Sequence, residues 1–204
     1  MIVAVEGDTD LPFVRKLASD ARIEISTEID CSGKSRLDAD LRGFNSAAQG
    51  SPWFVLRDLN SDARCAPEFL RANAMSHSEW MCYRVAVREL ESWVLADSHG
   101  FSDFFAVEED AIPAEPDLEI DPTLTIVQLC LASGSKQVRN AMVPMPGAAV
   151  SVGPLYEAKL IEFGERRWSV RRAAKNSESL RGARRALRDL AARWSRHIRG
   201  QAAD

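Results

Sequence analysis

Apolar and polar positions along the first hundred residues fall into short blocks whose period switches between strand and helix. Ile2-Val-Ala-Val5 is an apolar, β-branched run and predicts a buried strand. Glu6 and Gly7 end it. Asp8, Thr9 and Asp10 offer helix-capping chemistry, and Pro12 suits a first helical turn. Phe13, Val14, Leu17 and Ala18 then form a helical stripe. Residues 22–30 alternate, with Ile23, Ile25, Thr27 and Ile29 on one face, which predicts a half-buried strand. A helix is predicted over 35–48, with Leu37, Leu41 and Phe44 inward, and a strand over 53–56. A short helix over 67–74, a strand over 82–87 and a helix over 90–96 follow. Strand and helix alternate four times, so the expected fold class is α/β, with a mostly parallel sheet flanked by helices.

Beyond residue 105 the pattern changes. Residues 107–122 are acidic and hold three prolines, which predicts a linker or loop. Helices are predicted over 123–132, 136–142, 156–163 and 177–199. The last is amphipathic, with Leu180, Ala183, Leu187, Leu190, Ala191, Trp194 and Ile198 at three-four spacing. Trp93, Trp168 and Trp194 occupy helical apolar positions and read as core. The expected organisation is an α/β domain over 1–106, a linker over 107–122, and a helical carboxy-terminal extension over 123–204 that packs on the first part.

Composition narrows the class. The 204 residues, 46% hydrophobic and 27% charged, suit a globular chain that needs no staples. No apolar run approaches the roughly 20 residues of a membrane span. The amino-terminal residues lack a basic and apolar leader pattern, so a cytoplasmic protein without membrane attachment is expected. Cys31, Cys65, Cys82 and Cys130 are widely spaced and read as four reduced thiols. His77, His99 and His197 show no ligand-like spacing. Charge is unevenly distributed: residues 165–199 carry 12 Lys/Arg against 3 Asp/Glu, and residues 1–164 carry 14 against 26. An acidic body that holds cations and a basic tail that meets phosphate would produce this pattern. A charge-balanced contact within the chain would produce it equally well.

The chemistry concentrates where predicted strands end. Glu6 and Asp10 flank the turn after the first strand. Asp58, Asn60 and Asp62 follow the third, and Glu89 and Glu91 follow the fourth. Alternate residues of an extended segment point the same way, so each group can present oxygens together. Such ligands suit a hard cation, Mg²⁺ or Mn²⁺. Helix capping by each acid separately is the competing reading. Lone capping acids would repel one another on one edge without a cation.

These residues carry a family resemblance. Val3-Ala-Val-Glu-Gly-Asp-Thr-Asp10 resembles the opening of a TOPRIM domain, and the acid four residues after Glu6 resembles the OLD-type nuclease branch. Phe54-Val-Leu-Arg-Asp-Leu-Asn60 resembles the TOPRIM D-x-D. Val85-Ala-Val-Arg-Glu-Leu-Glu-Ser-Trp-Val-Leu-Ala-Asp97 looks like the R-E-x-E-x-W-L-L-A-D segment of the DUF4276-like, TOPRIM-related proteins. Val152-Gly-Pro-Leu-Tyr156, Phe163, Trp168 and Ser179-Leu180 look like that family's carboxy-terminal half. The resemblance implies that Glu6 is a general acid/base or metal ligand, and that Asp10, Asp58 and Glu91 are metal ligands. Asn60 stands where the pattern has its second aspartate. An amide oxygen still ligates Mg²⁺ but brings no charge, and Asp62 is the nearby substitute.

The expected activity is a Mg²⁺-dependent TOPRIM-type nuclease or phosphotransferase on nucleic acid, DNA before RNA. By resemblance, a separate ABC-type ATPase partner in phage or plasmid defence is expected, and a homodimer is allowed. The alternative is a non-catalytic binding or regulatory subunit. Candidate phosphate-binding residues are Lys34, Lys136, Arg139, Arg181, Arg184, Arg185 and Arg188, with Lys159 as a further cation. A solvated surface is the competing reading for each. Cys31-Ser-Gly-Lys-Ser35 lacks the first glycine of a Walker A loop, since position 28 is Glu, and reads as a strand-to-helix turn.

Overall fold

A computed structural model of the chain describes residues 1–73 and 76–201. Ala74, the last residue of the helix expected over 67–74, lies outside the described residues, as do the last three of the region expected over 123–204. The chain forms two compact units. One comprises Met1–Val85 with Arg181–Asp204, and the other is Ala86–Leu180. The boundaries expected near 106 and 122 therefore differ from this grouping, in which residues from 181 onward belong with the first 85.

The first unit is built on strands β1 (Ile2–Val5), β2 (Thr27–Asp30), β3 (Trp53–Asp58) and β4 (Met81–Ala86), the last of which ends one residue beyond the unit. They form a parallel sheet in the order β2-β1-β3-β4, flanked by helices. β1 pairs with β2 on one side, Val3 opposite Glu28, and with β3 on the other, Val3 opposite Phe54. Its central position explains its composition: Val3, Ala4 and Val5 are fully buried. Helices α1 (Leu11–Ala21), α2 (Lys34–Ala47) and α3 (Ala66–Ala72) fill the connections. Phe13, Val14 and Leu17 of α1 and Leu37 and Leu41 of α2 are buried, and Phe44 stacks on Trp53 at 5.3 Å.

The strand expected over 22–30 is shorter than its alternation implied. Arg22 takes a left-handed conformation, φ 58°, and ends α1. The Ile23 N–H then returns to the Ala18 carbonyl at 3.1 Å. Residues 22 and 23 thereby close the helix, the Glu24 carbonyl accepts from the Met1 ammonium at 2.8 Å, and backbone N–H pairing with the sheet starts at Ser26, which donates to the Met1 carbonyl at 2.8 Å.

The second unit is helical: α4 (Leu90–Ala96), α5 (Ser98–Phe105), α6 (Pro122–Leu131), α7 (Lys136–Met142), α8 (Tyr156–Arg166) and α9 (Val170–Asn176). The expected acidic loop holds two short 3-10 turns, Glu109–Ala111 and Pro116–Leu118. Helices α5 and α9 were not expected from the pattern. Their anchor is Asp97, which is fully buried. Its carboxylate accepts the Ser169 N–H at 2.8 Å and the Arg172 Nη2 at 2.9 Å, so one charge orders the starts of both helices. Trp93 and Trp168 are core, as expected. The Trp168 indole donates to the Trp93 carbonyl at 2.8 Å, and the Trp93 indole donates to Ser179 Oγ at 2.7 Å.

The long helix α10 (Glu178–Gln201) begins in the second unit and continues from Arg181 as part of the first. Leu180, Ala183, Leu187, Leu190 and Ala191 are buried, while Trp194 is half-buried against Trp80 at 5.1 Å. No helix among the described residues is long and apolar enough to cross a membrane.

Candidate functional site

In the first unit the acids gather where β1 and β3 end. Glu6 follows β1 directly. Its Oε1 accepts the backbone N–H of Asp58 at 2.9 Å, and its carbonyl accepts the Gly33 N–H at 2.7 Å. The first bond ties together the exits of two adjacent strands. The second fixes the turn into α2, where Ser32 and Gly33 take positive φ, 54° and 114°. Cys31-Ser-Gly-Lys-Ser35 is thus the expected strand-to-helix turn. Burial raises the Glu6 carboxyl above its ordinary value, opposed by the Asp58 N–H and the Arg57 charge.

Asp10 closes the turn. Its Oδ2 accepts the Gly7 N–H at 3.2 Å, and its side chain is buried. Burial pushes its carboxyl up to about 7, with the Gly7 N–H opposing the shift and the Glu6 charge adding to it. Glu6 and Asp10 are therefore a repelling pair in a partly desolvated turn.

Arg57 organises the loop after β3, and sequence reasoning missed it. It is 3% exposed and binds Asp38 through Nε and Nη2, both at 2.9 Å. It also holds the Asp62 carboxylate and the Asp58 carbonyl, and its guanidinium covers the Phe69 ring at 4.4 Å. Burial alone would lower its pKa, but the hydrogen bonds to Asp38 and Asp62 outweigh it and raise it. The detectable signal was an arginine directly after the apolar run Trp53–Leu56, inside the strand, since a buried charge requires partners.

That arrangement bears on the other candidate ligands. Asp62 is held by Arg57 and by Lys34, whose Nζ lies 3.0 Å from Oδ1, and these bonds lower its pKa. Its oxygens are engaged by protein cations, and Lys34 is engaged with it. Asn60 sits at φ 49°, a left-handed conformation that asparagine tolerates better than most residues.

Glu89 and Glu91 follow β4 in the chain but belong to the second unit. Glu89 Oε2 accepts the Thr123 hydroxyl at 2.9 Å, and Glu91 Oε1 accepts the Tyr156 hydroxyl at 3.4 Å. Burial, then the Glu91 charge, pushes the Tyr156 phenol well up, so it remains a donor. Lys136 is exposed at the start of α7, and Arg139 donates to the Ser133 carbonyl. Lys159 pairs with Glu162 at 2.7 Å.

The basic face of α10 divides in two. Arg184 binds Asp20 of α1 through Nε and Nη2 at 2.8 and 3.0 Å, and Arg188 reaches the same carboxylate at 2.9 Å. These two hold the helix to its own unit. Arg181 and Arg185 are exposed.

Among the described residues, no group of three or more His, Cys, Asp or Glu side chains is placed to hold a metal ion. Glu6, Asp10, Asp58 and Asp62 lie in the first unit, the last held by Arg57 and Lys34, and Glu89 and Glu91 lie in the second. The donor chemistry still fits Mg²⁺, which keeps several waters and takes one or two carboxylates. The repulsion between Glu6 and Asp10 is of the kind a cation relieves. Thiolate chemistry is disfavoured at the buried cysteines, because burial pushes Cys82 up to about 11 and Cys130 up to about 12. A groove of about 510 Å³ lies away from these acids, at the end of α1, lined by residues that include Arg15, Arg22, Glu24 and Glu28. No protein-family model matches the chain, and no curated protein or solved structure gives a significant match.

Proposed function

We propose that the chain is a Mg²⁺- or Mn²⁺-dependent phosphodiester-cleaving protein of TOPRIM type, related to the DUF4276-like proteins and acting on nucleic acid. The observation that carries this reading is the Glu6–Asp58 bond. It brings an acid of one strand exit onto the next strand's exit, on the carboxyl edge where parallel α/β sheets carry their sites. Glu6, Asp10 and Asp58 of the first unit would hold the cation, and the resemblance adds Glu91 as a candidate ligand. When bound, the cation supplies charge stabilisation to the attacking and leaving oxygens of the phosphodiester. Glu6, whose carboxyl burial raises above its ordinary value, is the group suited to hold and return a proton. Arg185 and Arg181 on the exposed side of α10 are the residues offered to the nucleic-acid backbone. Asp62 stands outside the ligand set, because Arg57 and Lys34 occupy it.

A second reading is a non-catalytic subunit that keeps the fold and binds nucleic acid or a partner ATPase. Asn60 favours it, together with the engagement of Asp62, since the second acidic position then carries no available charge. Titrating Mg²⁺ and Mn²⁺ with plasmid DNA and with RNA separates the two. Metal-dependent cleavage by the wild type that is absent in Glu6→Ala supports the enzyme. Silence under every metal, with or without an ATPase encoded beside it, leaves the subunit reading.

A further inference from the structure

From Arg181 onward α10 belongs to the first unit, and its outer side is basic over its whole length. At about 100° per residue, Arg181, Arg185, Arg196 and Arg199 fall within about 60° of one another, along about 27 Å of helix. All four are exposed. Residues 190–201 hold three arginines and a histidine and no Asp or Glu, with Asp189 the acid just before them. The third arginine, Arg193, crosses to the segment before β4, where its Nη2 donates to the Glu79 carbonyl at 3.2 Å.

That contact sets the end of α10 beside Trp80. Trp80 is buried and Trp194 half-buried, and their rings meet edge to face at 5.1 Å. The His197 imidazole lies against both, 5.4 Å from Trp194 with 29° between the planes, and 4.9 Å from Trp80 at 49°. Its Nε2 stands 3.1 Å from Gln201 Nε2. Position 197 is itself exposed. The two indoles therefore close the packing of α10, while the imidazole is a flat ring propped at the surface. Around the helix, Arg193 lies between the arginine stripe and this ring.

Guanidinium groups beside a propped aromatic ring match a polyanion whose base faces are open, because phosphates pair with arginine and any base stacks on a ring. A duplex offers this surface its phosphates alone, since its bases are stacked on one another. We propose that the outer side of α10 binds single-stranded nucleic acid, with the arginines on the phosphates and the His197 ring, backed by Trp194 and Trp80, under a base. The inference deepens the reading of the chain as a nucleic-acid-binding protein and rests on it.

The test is fluorescence anisotropy of the full chain in EDTA, so that no cleavage intervenes, with urea unfolding run on each variant. The probes are a labelled oligothymidine of about 20 nucleotides and a duplex of the same length. The single strand should bind at least about 5-fold more tightly than the duplex. His197→Ala should lose about 5-fold or more on the single strand and nothing on the duplex, and His197→Phe should keep the wild-type affinity. His197→Leu, which keeps bulk without a ring, should behave like His197→Ala and decides the matter if that variant does not fold. Arg196→Ala combined with Arg199→Ala should weaken both probes and lower the salt slope by about 1–2. Equal affinity for single strand and duplex overturns the inference, as does wild-type single-strand binding by folded His197→Ala or His197→Leu. Competition by polyglutamate as effective as that by unlabelled oligothymidine also overturns it, and marks the face as one for acidic protein. If the wild type binds neither probe even at low salt, the nucleic-acid reading itself fails, and this inference fails with it.

Discussion

The Glu6 carboxylate accepts the Asp58 backbone N–H at 2.9 Å, so a side chain from one strand exit substitutes for a ladder bond at the next. Both residues are half-buried. Replacing Glu6 by Ala strands a partly buried N–H and should cost about 1–3 kcal/mol of stability. Glu6→Gln keeps an acceptor oxygen in place and should cost less. Urea unfolding of the two variants checks this. Equal stability of Glu6→Ala and the wild type would mean that the bond contributes nothing.

Asp10 gives the fold a pH dependence with a definite sign. Its carboxyl titrates near 3.8 when unfolded and is pushed up to about 7 in the folded chain. Folding therefore takes up a proton between those values. The contribution is fully present below about 3.8 and is lost as pH rises through about 7. The loss is on the order of a few kcal/mol. Asp10→Asn, which keeps an acceptor for the Gly7 N–H, should be the flatter of the two between pH 4.5 and 7.5. If the wild type and Asp10→Asn lose stability in parallel over that range, the burial of the charge is not what drives it.

Arg57 is the cation whose loss the first unit should feel most. Arg57→Met leaves Asp38 and Asp62 facing each other without their shared partner. The cost should be about 3 kcal/mol, at the lower end for a broken buried pair because both acids are partly solvated. Arg57→Lys should recover only part of it, since one ammonium cannot fork to both carboxylates. Chemical denaturation measures both, and a Lys variant equal to the wild type would remove the forked geometry from the argument.

The arginines of α10 should separate by function. Arg184→Ala breaks the bidentate pair with half-buried Asp20 and should lower stability by about 1–3 kcal/mol. Arg185→Ala should leave stability unchanged within about 0.5 kcal/mol. If the exposed face meets phosphate, it should instead reduce the salt slope of nucleic-acid binding by about 1. Filter binding over a salt series reads the second effect. A normal slope for Arg185→Ala, alongside a reduced one for Arg184→Ala, would reverse the assignment.

Much of this was legible in the residue pattern, for stated reasons. β1, the acidic turn and α1 were readable because apolar run, capping acids and helical stripe follow one another without conflict. The edge strand was overread. The alternation of Ile23, Ile25, Thr27 and Ile29 extends backward to Ile23, which Arg22's left-handed turn commits to closing α1. α5 and α9 were not readable, because Asp97 and Arg172 lie 75 residues apart and their pairing, not local periodicity, orders both starts. The acids themselves were visible. What holds them was not: Arg57, Thr123 and Tyr156 act through contacts that no spacing rule reports. The grouping of Arg181–Asp204 with the first 85 residues escaped for the same reason, since the Arg184–Asp20 pair spans 164 positions.

The claim that these acids hold a divalent cation is tested most directly by Mn²⁺ binding to the full chain, wild type against Glu6→Gln, at pH 7.5. The wild type should bind Mn²⁺ saturably and Glu6→Gln should lose at least roughly 10-fold in affinity, with urea unfolding showing the variant folded. Absence of saturable Mn²⁺ binding by the wild type, or equal affinity in a folded Glu6→Gln variant, would contradict it.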